Sequence, residues 1–153
     1  MPTLERLKKI SIFRNLTNDE LKKVQAMIKE SSFRKGQMIW KETNAEQGLH
    51  IIDRGRVKVT RKTKDGNNQV LAVLKKDGFF GELSLLDGRS HSASVEALQK
   101  TNLLIIRKAD MDKFLEKNSR TAYKIVRDLA IEISMVLRGM NDKFMNMVDY
   151  LWD

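Results

Sequence analysis

The sequence predicts an α+β domain: an antiparallel β-roll, a jelly-roll-like barrel, flanked by N-terminal helices and by one long C-terminal helix. Three observations predict it. Between Gln37 and Ile106, short β-type runs alternate with glycine-bearing turns, the pattern of a small antiparallel barrel or roll. A helix-capping box precedes that region. After it, apolar residues recur at steps of three and four from Ala122 to Leu151.

Each element has its own signal. Thr17 followed by Glu20 forms the capping box, so a helix is expected from about Asn18 to about Glu30, with Leu21, Val24, Met27 and Ile28 facing inward. The period then changes. Gln37 to Trp40, Leu49 to Ile52, Val57 to Thr60, Val70 to Leu74 and Leu103 to Ile106 read as strands. Gly36, Gly48, Gly55, Asp65-Gly66 and Asp77-Gly78 separate them, each glycine supplying a turn. Phe79 and Phe80 read as a strand end, Glu82 to Leu86 as about one helical turn, and Ser94-Val95 as a strand start. Ala109 to Lys117 is a short helix by its Asp110, Phe114 and Leu115 pattern, and Ser119 is placed to cap a helix from about Arg120 to about Tyr150.

The long helix carries Ala122, Val126, Leu129, Ile133, Val136, Met140, Phe144, Met147 and Leu151 as one stripe. At about 1.5 Å per residue it reaches roughly 45 Å, more than a small barrel can cover. Part of the stripe must bury itself elsewhere, and a two-fold homodimer along it is the simplest solution. Residues 1–118 are therefore expected to form the β-roll with its N-terminal helices, and 119–153 the lid or dimerisation helix of the same domain.

Composition sets limits. A chain of 153 residues with 41% hydrophobic residues suffices for one core. No apolar run approaches the roughly 18 residues of a membrane span, and Met1 to Arg6 lacks a signal core, so no membrane association is expected. Cysteine is absent, which excludes disulfides and thiolate metal sites and is compatible with a cytoplasmic location. The net charge of +9 lies wholly before Ser119, where 24 basic residues face 15 acidic ones; five of each follow. Such a body attracts an anionic ligand, nucleic acid or an acidic partner surface. Arg54, Arg56, Lys58, Arg61, Lys62 and Lys64 cluster around one hairpin, but Lys58 alternates with Val57 and Val59, the pattern of a solvated strand face.

Phe80 to Val95, FGELSLLDGRSHSASV, is the chemically richest stretch. Gly81 permits a positive φ or a close backbone approach, and the turn that follows presents unpaired N–H groups to an anion. Glu82 suits such a site if its carboxylate accepts from a ligand hydroxyl. A cyclic nucleotide offers both a ribose 2′-hydroxyl and one negative charge. Ten residues downstream, Ser92 supplies a hydroxyl at the edge of a strand.

With its FGE, its apolar-small-apolar run and its Ser-Ala-Ser-Val strand start, this stretch resembles the phosphate-binding cassette of cyclic nucleotide-binding domains. Leu7 to Leu21, LKKISIFRNLTNDEL, resembles the opening of the same domains. The resemblance implies a cyclic nucleotide ligand, cyclic AMP (cAMP) ahead of cyclic GMP (cGMP), held by Gly81, Glu82, Leu83, Ser84, Arg89, His91, Ser92 and Ala93. His91 stands where the family places its phosphate-pairing arginine. Histidine is shorter and only partly charged at neutral pH, and losing a charge-assisted contact costs about 1.5–3 kcal/mol, so binding is weakened rather than abolished. Shifting the role to Arg89 moves the register by two residues and makes Ala93, not Val95, the start of the next strand; Arg89 otherwise reaches in from the preceding loop.

In the family the long helix lids the base. Met140 and Asn141 fall where catabolite-activator-type proteins present base-facing hydroxyls; Met140 reads as dimer-seam packing and Asn141 as a donor to the purine across the interface. Those transcription factors carry a helix-turn-helix after this helix, for which residues up to Asp153 leave no room, so no DNA-binding module is expected. Two function classes remain open. One is a stand-alone regulatory module that signals through its C-terminal helix to an effector protein the sequence does not name. The other is a degenerate domain that has lost its ligand and acts as a dimeric scaffold. Catalysis is not expected, since His50 and His91 are the only histidines and no triad or paired-carboxylate spacing occurs. His50 reads as a barrel position, and no metal is expected.

Overall fold

In a computed structural model, which describes residues 1–41, 47–90 and 93–153, the chain folds into two four-stranded antiparallel sheets wrapped by helices. The chain opens with α1 (Leu4–Lys8), a 3₁₀ turn at Ser11–Phe13 and α2 (Asn18–Met27). The strands are β1 (Lys29–Phe33), β2 (Met38–Trp40), β3 (Gly48–Arg54), β4 (Arg56–Lys62), β5 (Asn68–Lys75) and β6 (Phe79–Phe80); after α3 (Glu82–Asp87) come β7 (Ser94–Ala97) and β8 (Thr101–Arg107). The chain then runs through α4 (Lys108–Lys117) into α5 (Ser119–Trp152). One sheet has the order β1-β8-β3-β6 and the other β2-β7-β4-β5.

The inner strands of the first sheet, β8 and β3, are apolar on both faces because both faces are covered. Leu49 and Ile51 of β3, with Leu104 and Ile106 of β8, pack outward against Leu7, Phe13, Leu21, Val24, Ile125 and Leu129 of the helices. Ile52 and Leu103 point between the sheets, where they meet Trp40, Val57, Phe80 and Val95.

The Thr17 capping box forms as expected: Glu20 N donates to the Thr17 hydroxyl at 3.2 Å, and the Thr17 amide donates to the Glu20 carboxylate at 2.8 Å. The helix is shorter than its sequence suggests. Ile28 already has extended backbone, φ −76° and ψ 132°, and Lys29–Phe33 forms β1, paired with β8 from Lys29 opposite Ile105 to Phe33 opposite Thr101. KESSF carries no alternation of its own; pairing with an apolar neighbour makes it a strand. Ser119 does not cap α5 either. Asn118 is the N-cap and makes no side-chain bond, while its carbonyl accepts from Ala122 N at 2.9 Å.

The first three turns of α5 are anchored. Asn15 donates to the buried Asp128 carboxylate at 2.9 Å, and Lys124 pairs with Glu20 at 2.9 Å. Beyond Ile133, which still packs against the core, the helix leaves the body: Met135, Val136, Leu137, Met140, Phe144 and Met147 are all exposed. The stripe outruns its own barrel, as its length requires.

Candidate functional site

The strand end at Phe80 and the turn after it are held by backbone geometry that only glycine fits. Gly81 has φ +82°, and a Cβ there would run into the Gly48 carbonyl oxygen and lie 2.7 Å from Trp40 Cη2. Gly81 is the N-cap of α3, so no side chain caps that helix start. The Ser84 hydroxyl is buried and turned inward, donating to the Gly81 carbonyl at 3.0 Å and accepting from Gly48 N at 3.4 Å. What Ser84 offers outward is its amide. With that of Leu83, it belongs to the first turn, where no intrahelical carbonyl is available. At the other end the Gln47 side-chain amide donates to the Gly88 carbonyl, pinning α3 to the start of β3.

Beneath the turn lies an aromatic trio. Trp40 meets Phe80 edge-on at 4.8 Å between centroids and His50 edge-on at 4.7 Å, while His50 stacks on Phe80 at 5.1 Å. His50 is only 3% exposed, a packed barrel residue as its strand position implies. The Trp40 indole N–H donates to the Ala93 carbonyl at 3.1 Å.

These elements wall a pocket of about 390 Å³, within the usual size of small-molecule sites, roughly 300–1,000 Å³. Its lining brings together five of the sequence-nominated residues, Gly81, Glu82, Leu83, Ser84 and Ala93, with Arg89 at the rim. Arg89 is 87% exposed on its side chain and lies 3.8 Å from Asp87. His91 and Ser92 lie outside the described residues. β7 begins at Ser94, between the Ala93 and Val95 starts of the two registers, and Val95 is buried against the pocket. Asn141 is exposed on α5, and no residue of α5 lines the pocket within the chain.

Sequence reasoning missed Trp40, Val59, Leu71 and Asp87 as walls of this pocket. Val59 was legible as an inward strand position. Trp40 carried a signal too, because an indole N–H in an apolar strand requires an acceptor. Leu71 sits at a register shift opposite Val59 and Thr60, a bulge the sequence does not mark.

Burial raises the Glu82 carboxyl above its ordinary value, against a smaller lowering by its own backbone N–H. No cation pairs with it among the described residues. An acceptor of this kind is satisfied by a ligand hydroxyl, while the Leu83 and Ser84 amides suit an anion. The described residues contain no cluster of metal-binding side chains. The donors and the acceptor present thus fit a small molecule that carries both a hydroxyl and a single negative charge.

A model of the cyclic nucleotide-binding domain family matches residues 30–118, from β1 through α4. The chain belongs to this family. The cyclic AMP receptor protein of Thermus thermophilus is 27% identical over 119 residues, 78% of this chain and 55% of that protein. A cGMP-dependent protein kinase of Drosophila melanogaster, isozyme 2, is 25% identical over 148 residues, 94% of this chain and 15% of the kinase. The chain thus spans about half of the first relative and a small part of the second. The N-terminal domain of a transcriptional regulator from Streptomyces coelicolor superposes with a TM-score of 0.76 at 25% identity, covering 88% of this chain and 94% of that one. A cyclic nucleotide-binding domain from Methylobacillus flagellatus shares the fold at a TM-score of 0.82 and 21% identity, over 93% of this chain and 80% of its own. The family is one of regulatory β-rolls, and no described helix is long and apolar enough to cross a membrane.

Proposed function

We propose that this chain is a non-catalytic regulatory module of the cytoplasm that binds a cyclic nucleotide, cyclic AMP ahead of cyclic GMP, and signals to an effector protein through α5. The observation that carries the reading is the Gly81–Ser84 turn, which puts two helix-start amides and an unpaired, half-buried carboxyl on one pocket wall. The phosphate sits against the Leu83 and Ser84 amides, the Ala93 amide and Ser92. His91 takes the arginine's place and Arg89 approaches from the rim. Glu82 accepts from the ribose 2′-hydroxyl. Two copies pair along the exposed stripe of α5, and the partner subunit's Asn141 reaches the purine. Filling the pocket draws the Glu82 turn inward and biases the helix between two orientations, by differential contact with the ligand.

A second reading is favoured by His91 standing where the family has its arginine: a domain that no longer binds ligand and serves as a dimeric scaffold. Thermal melting of the purified protein separates the two. A ligand that binds only the folded state at a hundred times its Kd adds about 2.7 kcal/mol, a rise of roughly 5–10 °C for a chain of this size. Such a rise with cyclic AMP supports the sensor; a flat response to all nucleotides together with a tight dimer supports the scaffold.

A further inference from the structure

The two sheets have four edge strands, and three of them are protected against pairing. β1 is five residues long and opens with the charges of Lys29 and Glu30, β2 has three residues and a register shift, and β6 has two residues. Short, charged or irregular edges are the usual defences against unwanted strand addition. β5 carries one irregularity, the register shift at Leu71, and is otherwise neither short nor charged in its middle. It is eight residues long, and Gln69 to Leu74 is an uncharged run. Val70, Leu71 and Val73 are 48%, 56% and 54% exposed. Such an edge is a ready template for another strand.

The ends of this template are strongly basic. Between Arg54 and Lys76 there are eight cations and one acid, Asp65. Arg61 and Lys64 flank the run at the turn, and Lys75 and Lys76 at the other end. Of these cations Lys58 reaches Glu96 at 3.5 Å, and Arg61, Lys64, Lys75 and Lys76 have no ion pair among the described residues. A second copy of β5 laid antiparallel would bring the same cations against them, which costs free energy.

We propose that the β5 edge is a docking strand for an extended, acidic segment of a partner protein, whose apolar centre lies along Gln69–Leu74 and whose Asp or Glu flanks meet the Arg61–Lys64 and Lys75–Lys76 ends. Main-chain hydrogen bonds supply the affinity of such strand addition, and the flanking charges set its selectivity. Leu71 also lines the nucleotide pocket, so the docked strand runs past the pocket mouth. The docking itself needs no nucleotide and stands apart from the ligand reading.

The test uses the full chain without nucleotide and a blocked peptide with an alternating Val-Thr centre flanked by pairs of Glu. The comparison peptide carries Lys in place of every Glu. Amide hydrogen exchange and NMR shifts report on residues 68–75. The expected result is protection confined to β5 by the Glu peptide, at least about tenfold weaker with the Lys peptide. Val70→Lys, at an exposed position opposite Thr60, abolishes protection, while Val70→Thr keeps it. Equal binding of both peptides, shifts mapping elsewhere, or no effect of Val70→Lys overturns the proposal. So does protection of β5 by raised protein concentration, anionic vesicles or duplex DNA but not by the Glu peptide.

Discussion

The indole N–H of Trp40 donates to the carbonyl of Ala93 at 3.1 Å, while the edge of the same ring packs on Phe80, the residue before the Gly81 turn. One side chain therefore braces both ends of the cassette: its opening through the ring and its return through a hydrogen bond. Trp40→Phe keeps an aromatic ring and removes the donor. The expected result is a loss of about 1 kcal/mol in stability and a several-fold weaker nucleotide affinity, read by denaturant melts and titration of the same sample.

Gly81→Ala tests the turn itself. At φ +82° the added methyl meets the Gly48 carbonyl and the Trp40 ring. Strain of about 1–3 kcal/mol comes from the backbone alone, before any clash. Chemical denaturation should show a loss of at least that size, accompanied by loss of nucleotide binding.

Glu82 makes ligand-free stability and binding depend on pH in opposite ways. Its carboxyl is raised by burial, so the folded state holds the proton at pH values where the unfolded chain, near pKa 4.3, has lost it. Its contribution to stability is therefore present at low pH and falls as pH rises through the folded value. Glu82→Gln flattens this limb of the profile. A ribose hydroxyl donating to the carboxylate favours the ionised form, so binding near the raised value releases a proton. Calorimetry in buffers of different ionisation enthalpy should detect that release in the native protein and not in Glu82→Gln.

The exposed half of α5 gives the proposed dimer its test. Phe144 is exposed within the chain and touches no part of the core, so Phe144→Glu should leave the melting of the body intact. Placed in an apolar seam, the carboxylate should weaken self-association at least about tenfold by sedimentation velocity. An unchanged association constant would remove α5 from the dimer.

Much of this was legible in the sequence where local chemistry decides the backbone. The Thr17–Glu20 box placed the start of α2, and Gly81 marked a turn that its Cβ-free backbone does occupy. β3 and β8 announced themselves as apolar runs. β1 did not, because Lys29–Phe33 becomes a strand only by pairing with β8. The inward turn of the Ser84 hydroxyl was equally invisible, since its acceptor and donor, Gly81 and Gly48, lie on different elements. The Trp40 brace and the Leu71 bulge likewise depend on partners brought together only by the roll.

Isothermal titration with cyclic AMP and cyclic GMP at pH 6 and pH 8, on the native protein and His91→Arg, bears most directly on whether this pocket is used. A pocket in use predicts binding of cyclic AMP tighter than millimolar at both pH values. His91→Arg should tighten it by about ten- to a hundredfold. No affinity better than millimolar for the native protein at either pH, with binding restored in His91→Arg, would contradict it.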